Sequence, residues 1–237
     1  MKKFFFLFSL AAVIVSCSPI YLPNSRNVPM LSKAGEFQGS VSFGSGYNAQ
    51  LAVAVTNNVA LMANGMFASS RESVFGTSGN INSYSLWEGG IGYYHNATNN
   101  FYFDFFAGFG KGKSYAKDSA FAIHPVTLNG NDTHISSGDF NRLFIQPSFG
   151  WKLKHFHGAI AYRISMVNFT SAENLGKPIS IGGTAAFFEP AVVAKFPFDK
   201  MVLNVQIGIT TPVNKGDLYF DYVPLTVSTG IGIRLGY

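Results

Sequence analysis

The sequence predicts an all-β protein, a closed antiparallel transmembrane β-barrel of ten strands, with eight as the alternative count. Three observations predict it. The 237 residues are 47% hydrophobic yet only 12% charged, whereas an ordinary soluble domain carries about 25% charged residues. Period-two alternation repeats from residue 36 to the carboxy terminus. The connections between the alternating segments sort into short and long. No internal run reaches the ~18 apolar residues of a spanning helix, and only helices and closed barrels satisfy every backbone polar group inside a bilayer. The 25 glycines and 24 phenylalanines suit strands and aromatic girdles.

The amino terminus reads as an export signal. Lys2 and Lys3 precede an apolar run from Phe4 to Val15, then Ser16 and Cys17. The run is too short to span a bilayer. The ending Ile14-Val15-Ser16-Cys17 resembles the bacterial lipobox, which implies cleavage before Cys17 and its lipidation, with palmitate among the acyl chains. Cys17 is the only cysteine, so no intrachain disulfide forms. Ser18, in place of Asp, favours the outer membrane by analogy with other bacterial lipoproteins. The stretch after Cys17 lacks the early acidic cluster of surface-exported lipoproteins in Bacteroidota. The expectation is therefore a lipid in the periplasmic leaflet. The boundaries expected are 1–16 for the signal, 17–35 for a lipidated extended tether holding Pro19, Pro23 and Pro29, and 36–237 for the barrel. Of the formal charge of +5, Lys2 and Lys3 leave with the signal. The remainder is weakly basic without a Lys/Arg run, which argues against a nucleic-acid partner.

The ten strands are read at 36–45, 47–56, 59–69, 82–95, 100–115, 141–154, 156–169, 184–197, 200–212 and 223–237. In 141–154, Leu143, Ile145, Pro147, Phe149, Trp151 and Leu153 oppose Phe144, Gln146, Ser148, Gly150, Lys152 and Lys154. In 200–212, Met201, Leu203, Val205, Ile207 and Ile209 oppose Val202, Asn204, Gln206, Gly208 and Thr210. The strands at 59–69 and 82–95 alternate less cleanly. The polar faces carry Gly, Ser, Asn and Gln, not the Lys/Glu-rich coat of a soluble barrel, so the large apolar faces are assigned to lipid and the small polar ones to the lumen. Connections after strands 2, 4, 6 and 8 are short, and those after 3, 5, 7 and 9 are mostly long. Outer-membrane barrels have short periplasmic turns and long outer loops, so both chain ends are expected at the periplasmic side. Tyr93, Tyr94, Phe101, Trp151, Phe156, Phe196, Phe198 and Tyr237 fall near that side, where rings collect at the interface.

A ten-strand barrel is narrow enough for side chains to fill. The luminal charges expected are Glu88, Asp104, Lys152, Arg163, Glu189, Lys195 and Arg234. Arg163 and Glu189 fall at similar heights on neighbouring strands, as do Asp104 and Lys152. Buried charges are costly unless paired, which favours an ion-paired plug over a polar conduction path. Pro147 and Pro190 sit mid-strand at lipid-facing positions. Proline removes a ladder donor, so each marks a local bulge or, in the sharper reading, a lateral seam. Barrels of the outer-membrane palmitoyltransferase and fatty-acid transporter type are precedents for such openings.

Catalytic and metal chemistry find little support. His155 and His157 are two potential ligands, where a metal site needs three or four. His124, Asp132 and His134 lie in the longest outer loop, but the paired Asp and Asp-His motifs of ten-strand omptin proteases are not found on strand ends. No base–nucleophile–orienter set can be named, and no phosphate loop, zinc motif or nucleophile elbow occurs. No enzyme activity, cofactor or metal is expected.

The lipobox, the tether residues Tyr21, Pro23, Asn27 and Pro29, and the stretch Lys33 to Glu36 leading to a first hairpin resemble the small outer-membrane barrel lipoproteins of Bacteroidota. The first quarter of the chain carries the resemblance closely, the rest only in pattern. It implies location and fold, and no activity. The ending Ile231, Ile233, Leu235 and Tyr237 resembles the carboxy-terminal signal that outer-membrane barrels present to their assembly machinery. The partners expected are outer-membrane lipids and the barrel-assembly and lipoprotein-sorting machinery. The function expected is structural or surface-interactive around a filled lumen. The alternatives are a small transporter or pore with a luminal or lateral path and, third, an outer-membrane hydrolase.

Overall fold

The computed structural model describes residues 19–71, 81–97, 100–117, 137–174, 177–178, 180, 183–213, 220 and 222–236. The signal segment with Cys17, the loop residues His124, Asp132 and His134, and Tyr237 lie outside the described residues.

Alternation builds the strands in order: β1 (Phe37–Gly44), β2 (Tyr47–Ala54), β3 (Val59–Arg71), β4 (Ile81–Asn96), β5 (Phe101–Lys117), β6 (Ser137–Lys152), β7 (His157–Asn174), β8 (Lys177–Pro178), β9 (Ala185–Phe198), β10 (Met201–Ile209), β11 (Thr211–Pro212) and β12 (Leu225–Leu235). The pieces β8 and β11 are two-residue ladders that lengthen the sheet beside β7 and β9. The other ten are the staves of a barrel. Around it they run β9-β10-β12-β1-β2-β3-β4-β5-β6-β7, and antiparallel pairing of β7 with β9 closes the ring. β6 starts four residues before the expected 141, and β7 runs five beyond the expected 169. These extensions stand at the end of the barrel where the long connections lie.

The faces fall as the alternation predicts. Leu143, Ile145, Phe149 and Trp151 of β6 are exposed, while Phe144, Gln146, Ser148 and Gly150 are buried. Met201, Leu203, Ile207 and Ile209 of β10 face outward, and Val202, Gln206 and Thr210 inward. Rings gather at the short-turn end, where Phe101 meets Trp151 at 5.7 Å and Phe156 meets Phe196 at 5.4 Å between centroids.

Two expectations about the wall need correction. A bulge does not form at either proline. Pro190 keeps its place opposite Tyr162. Pairing between β6 and β7 lapses between Ile145 and Ser148 but resumes in the same register. The ring nitrogen of Pro147 has no proton to give the ladder, yet the missing bond does not force an extra residue. The register shift of this strand pair lies instead between Asp139 and Phe140. The lumen, in turn, is not lined only by small polar groups. It holds two apolar layers with a charged layer between them.

Candidate functional site

The site is the interior, and the segment before β1 organises it. Residues 20–31 are an extended strap that runs inside the barrel. Ile20, Tyr21, Asn24, Arg26, Val28, Met30 and Leu31 are all at most 1% exposed. A run with two prolines, Pro23 and Pro29, and no hydrophobic period reads from sequence as a tether outside the fold. Inside a polar lumen the same features serve. Proline holds the backbone extended, and backbone groups of Ser25, Arg26, Asn27 and Leu31 find side-chain partners on the wall.

The direction of the strap follows from its contacts. Tyr21 forms a parallel bridge with Tyr222, and Val223 N–H donates to Tyr21 C=O at 3.1 Å. Tyr21 also packs on Phe140, near the start of β6, and on Phe220. These neighbours belong to the long-connection end. At the other end Leu31 C=O accepts from Asn96 Nδ2 at 3.0 Å and from Lys152 Nζ at 2.8 Å, and both donors stand at the short-turn ends of β4 and β6. The chain then reverses at Gly35, whose φ of 81° suits a residue without Cβ, and enters β1. The described amino-terminal end is thus at the opposite end of the barrel from the start of β1. The expectation that it lies with the short turns is corrected, because the segment has traversed the lumen.

Wall amides dock the strap much as a neighbouring strand would. Arg26 N–H donates to Gln206 Oε1 at 2.7 Å, and Gln206 Nε2 donates back to Arg26 C=O at 2.9 Å. Ser25 N–H donates to Asn48 Oδ1 at 3.0 Å, and Gln50 Nε2 donates to Ser25 C=O at 2.7 Å. Gln146 Nε2 donates to Asn27 C=O at 2.8 Å. Each of these buried backbone groups would cost about 1–3 kcal/mol if left unsatisfied, so the Asn and Gln residues of the lumen have a definite task.

The strap also completes the charged layer. Glu88 is ion-paired with Arg142 and lies 3.5 Å from Arg163. Glu189 is 3.9 Å from Arg26, and it accepts from Tyr21 Oη at 2.7 Å and Ser165 Oγ at 2.9 Å. Asn24 Oδ1 accepts from both Arg142 and Arg163, at 2.7 and 2.8 Å. Arg163 Nε and Nη2 donate to Gln146 Oε1 at 2.9 and 2.7 Å. Charge-assisted bonds of this kind are stronger than neutral ones. Three guanidinium groups and two carboxylates share one buried layer.

Of the luminal charges expected from sequence, Glu88, Arg163 and Glu189 meet in this layer. Arg163 stands opposite Glu189 in register, but its ion pair crosses the lumen to Glu88. Asp104 and Lys152 do not pair. Asp104 accepts from Tyr102 Oη and stands opposite Ser148. Lys152 grips the foot of the strap and lies 4.8 Å above the Tyr102 ring. Arg234 reaches Glu36 at 3.2 Å. Lys195 and Arg234 border a small luminal cavity of about 20 Å³, room for about one water molecule. Of the residues that the sequence suggests as an assembly signal, Ile231, Ile233 and Leu235 face outward on β12.

Sequence reasoning missed Arg26, Arg142, Tyr21 and Asn24. Arg142 shares the parity of Phe144 and Gln146, so alternation alone could have placed it in the lumen. The strap residues carry no period that could do so. Among the described residues no cluster of His, Cys, Asp and Glu could hold a metal ion.

Apolar layers seal both ends. Val28, Met30, Leu31, Tyr94, Tyr102, Phe106 and Phe144 pack together toward the short turns. Ile20, Tyr21, Leu86, Phe140, Phe169 and Phe187 do so toward the long connections.

Neither a protein-family model nor a curated protein matches this chain. Solved structures of similar shape include the translocator domain of the autotransporter NalP from Neisseria meningitidis, 14% identical over 84% of this chain and 86% of that one, with a TM-score of 0.46. A major outer membrane protein from Thermus thermophilus is 13% identical over 84% of this chain and 99% of that one, with a TM-score of 0.28. OmpT, an outer membrane protein of Vibrio cholerae, is 9% identical over 84% of this chain and 96% of that one, with a TM-score of 0.22. These are similarities of chain path and say nothing of activity.

Proposed function

We propose that this chain is a lipid-anchored, integral outer-membrane β-barrel of bacteria whose lumen is closed by its own amino-terminal strap. It acts as a structural or surface-contact protein through its long loops, without enzymatic chemistry. One observation carries the reading. The strap fills the lumen end to end, with its polar groups held by wall side chains. An outward belt of Phe, Trp, Ile and Leu around the staves suits lipid, and the sort of short and long connections suits periplasmic turns and outer loops. The export signal and the lipobox ending at Cys17 support lipidation. The proposed partners are outer-membrane lipids and the machinery that assembles barrels and sorts lipoproteins, the latter two engaged by Cys17 and by the ending Ile231, Ile233, Leu235 and Tyr237.

Planar-bilayer recording tests the closed lumen. The full chain is expected to insert without steady current steps. A variant lacking residues 19–31 is expected to conduct, because the charged layer then faces water. Steady, ion-selective steps from the full chain would overturn the proposal.

A further inference from the structure

The path of the strap bears on membrane topology. We infer that the barrel threads its own amino terminus outward, so that Cys17 and its lipid lie at the cell surface and the acyl chains enter the outer leaflet. This rests on the outer-membrane lipoprotein reading above, and it reverses the periplasmic anchor that the sequence alone suggests.

Reach decides between the two leaflets. A chain spans at most about 3.6 Å per residue, so Cys17 lies within roughly 11 Å of Ile20. Ile20 and Tyr21 pack in the apolar layer at the long-connection end. Strands about 4.8 Å apart and tilted about 40° give ten staves a circumference of roughly 63 Å and a radius of about 10 Å. Cys17 therefore reaches the nearby rim, and lipid attached to it reaches the leaflet around that rim. The other mouth is out of range. Tyr21 to Pro29 is eight residue steps of extended chain, about 26 Å, against an apolar band about 25 Å tall, and the chain turns only at Met30, whose φ is 55°. The lumen between is occupied by the strap itself, so no second passage leads back. The strap is also tied along its length, at Tyr21 to Glu189, at Ser25 to Ser228, at Arg26 to Gln206 and at Leu31 to Lys152.

The experiment uses the full chain expressed in its own outer membrane. Pro19→Cys is treated on intact cells with a membrane-impermeant maleimide. Asp199→Cys, in the turn between β9 and β10, serves as the marker of the opposite end. Heat-modifiable migration establishes that each variant has folded, and an epitope inserted between Ser18 and Pro19 repeats the measurement with an antibody. Expected is labelling of Pro19→Cys and binding of the antibody on intact cells, with Asp199→Cys labelled only after permeabilisation. Labelling at residue 19 and antibody binding only after permeabilisation would overturn the inference, as would reaction of Asp199→Cys on intact cells. Mass spectrometry of the amino-terminal peptide reports lipidation separately. A surface-exposed but unacylated terminus would refute the lipid placement and the lipoprotein reading while leaving the strap's direction standing; an acylated terminus found only inside would refute the inference alone.

Discussion

The hydroxyl of Tyr21 donates to Glu189 Oε1 at 2.7 Å across 168 residues of sequence. It joins the strap to the wall at the boundary between the charged layer and the apolar layer at the long-connection end. Arg142 Nη1 donates to the same hydroxyl at 3.1 Å, so one oxygen serves both charge signs. Tyr21→Phe keeps the ring stacked on Phe187, 4.9 Å away, and removes only this junction. A buried carboxylate then loses a donor, at a cost of about 1–3 kcal/mol. The expected outcome is a barrel that still folds in lipid vesicles, with its urea midpoint lowered accordingly.

Glu88 is the counter-charge of two arginines whose side chains are fully buried. Removing one member of such a group leaves uncompensated charge, and the expected cost of Glu88→Gln is about 3–5 kcal/mol. Arg142→Gln in the same background should restore part of it, since the two changes share one network. Equilibrium unfolding of the single and double variants measures the coupling. A conducting path would instead show a change of ion selectivity with little loss of stability.

Gly230 lies where β12 meets β1. A Cβ there would collide with the Val41 carbonyl and the Ser42 backbone. Gly230→Ala is expected to cost about 1–3 kcal/mol through overpacking and to lower the yield of heat-modifiable barrel, because this pairing joins the first stave to the last. The same substitution at Gly183, where an added Cβ meets nothing within 4 Å, is the control and should leave migration unchanged.

Tyr237 follows the outward set Ile231, Ile233 and Leu235. Its deletion, or a polar tail after it, is expected to reduce the assembled fraction in the outer membrane. The check is the protease-resistant, heat-modifiable band, which should persist at the normal level if the ending has no role in assembly.

The staves were legible because alternation is local. Gln206, Gly208 and Thr210 declare one face, and Leu203, Ile207 and Ile209 the other, with no knowledge of distant residues. The two proline positions were legible as oddities but not as outcomes, since whether a lost ladder bond forces a bulge depends on the partner strand. The strap was illegible for a sharper reason. Asn24, Arg26 and Asn27 find their partners on β2, β3, β6, β7, β9 and β10, and nothing local marks them as buried. A trace did exist. Gln50, Gln146 and Gln206 occupy inward positions of a narrow lumen, and a buried side-chain amide asks for both a donor and an acceptor. An extended backbone supplies both.

Residues 20–31 lie inside the barrel, and a cross-link between strap and wall puts that placement to the test. Ser25 Oγ of the strap lies 2.9 Å from Ser228 Oγ of β12. The variant Ser25→Cys/Ser228→Cys is purified from membranes under mild oxidation and read by mass spectrometry of the digest. With the strap inside, a disulfide joins the two peptides in nearly every folded molecule. Free thiols at both positions in a heat-modifiable, protease-resistant barrel would contradict it.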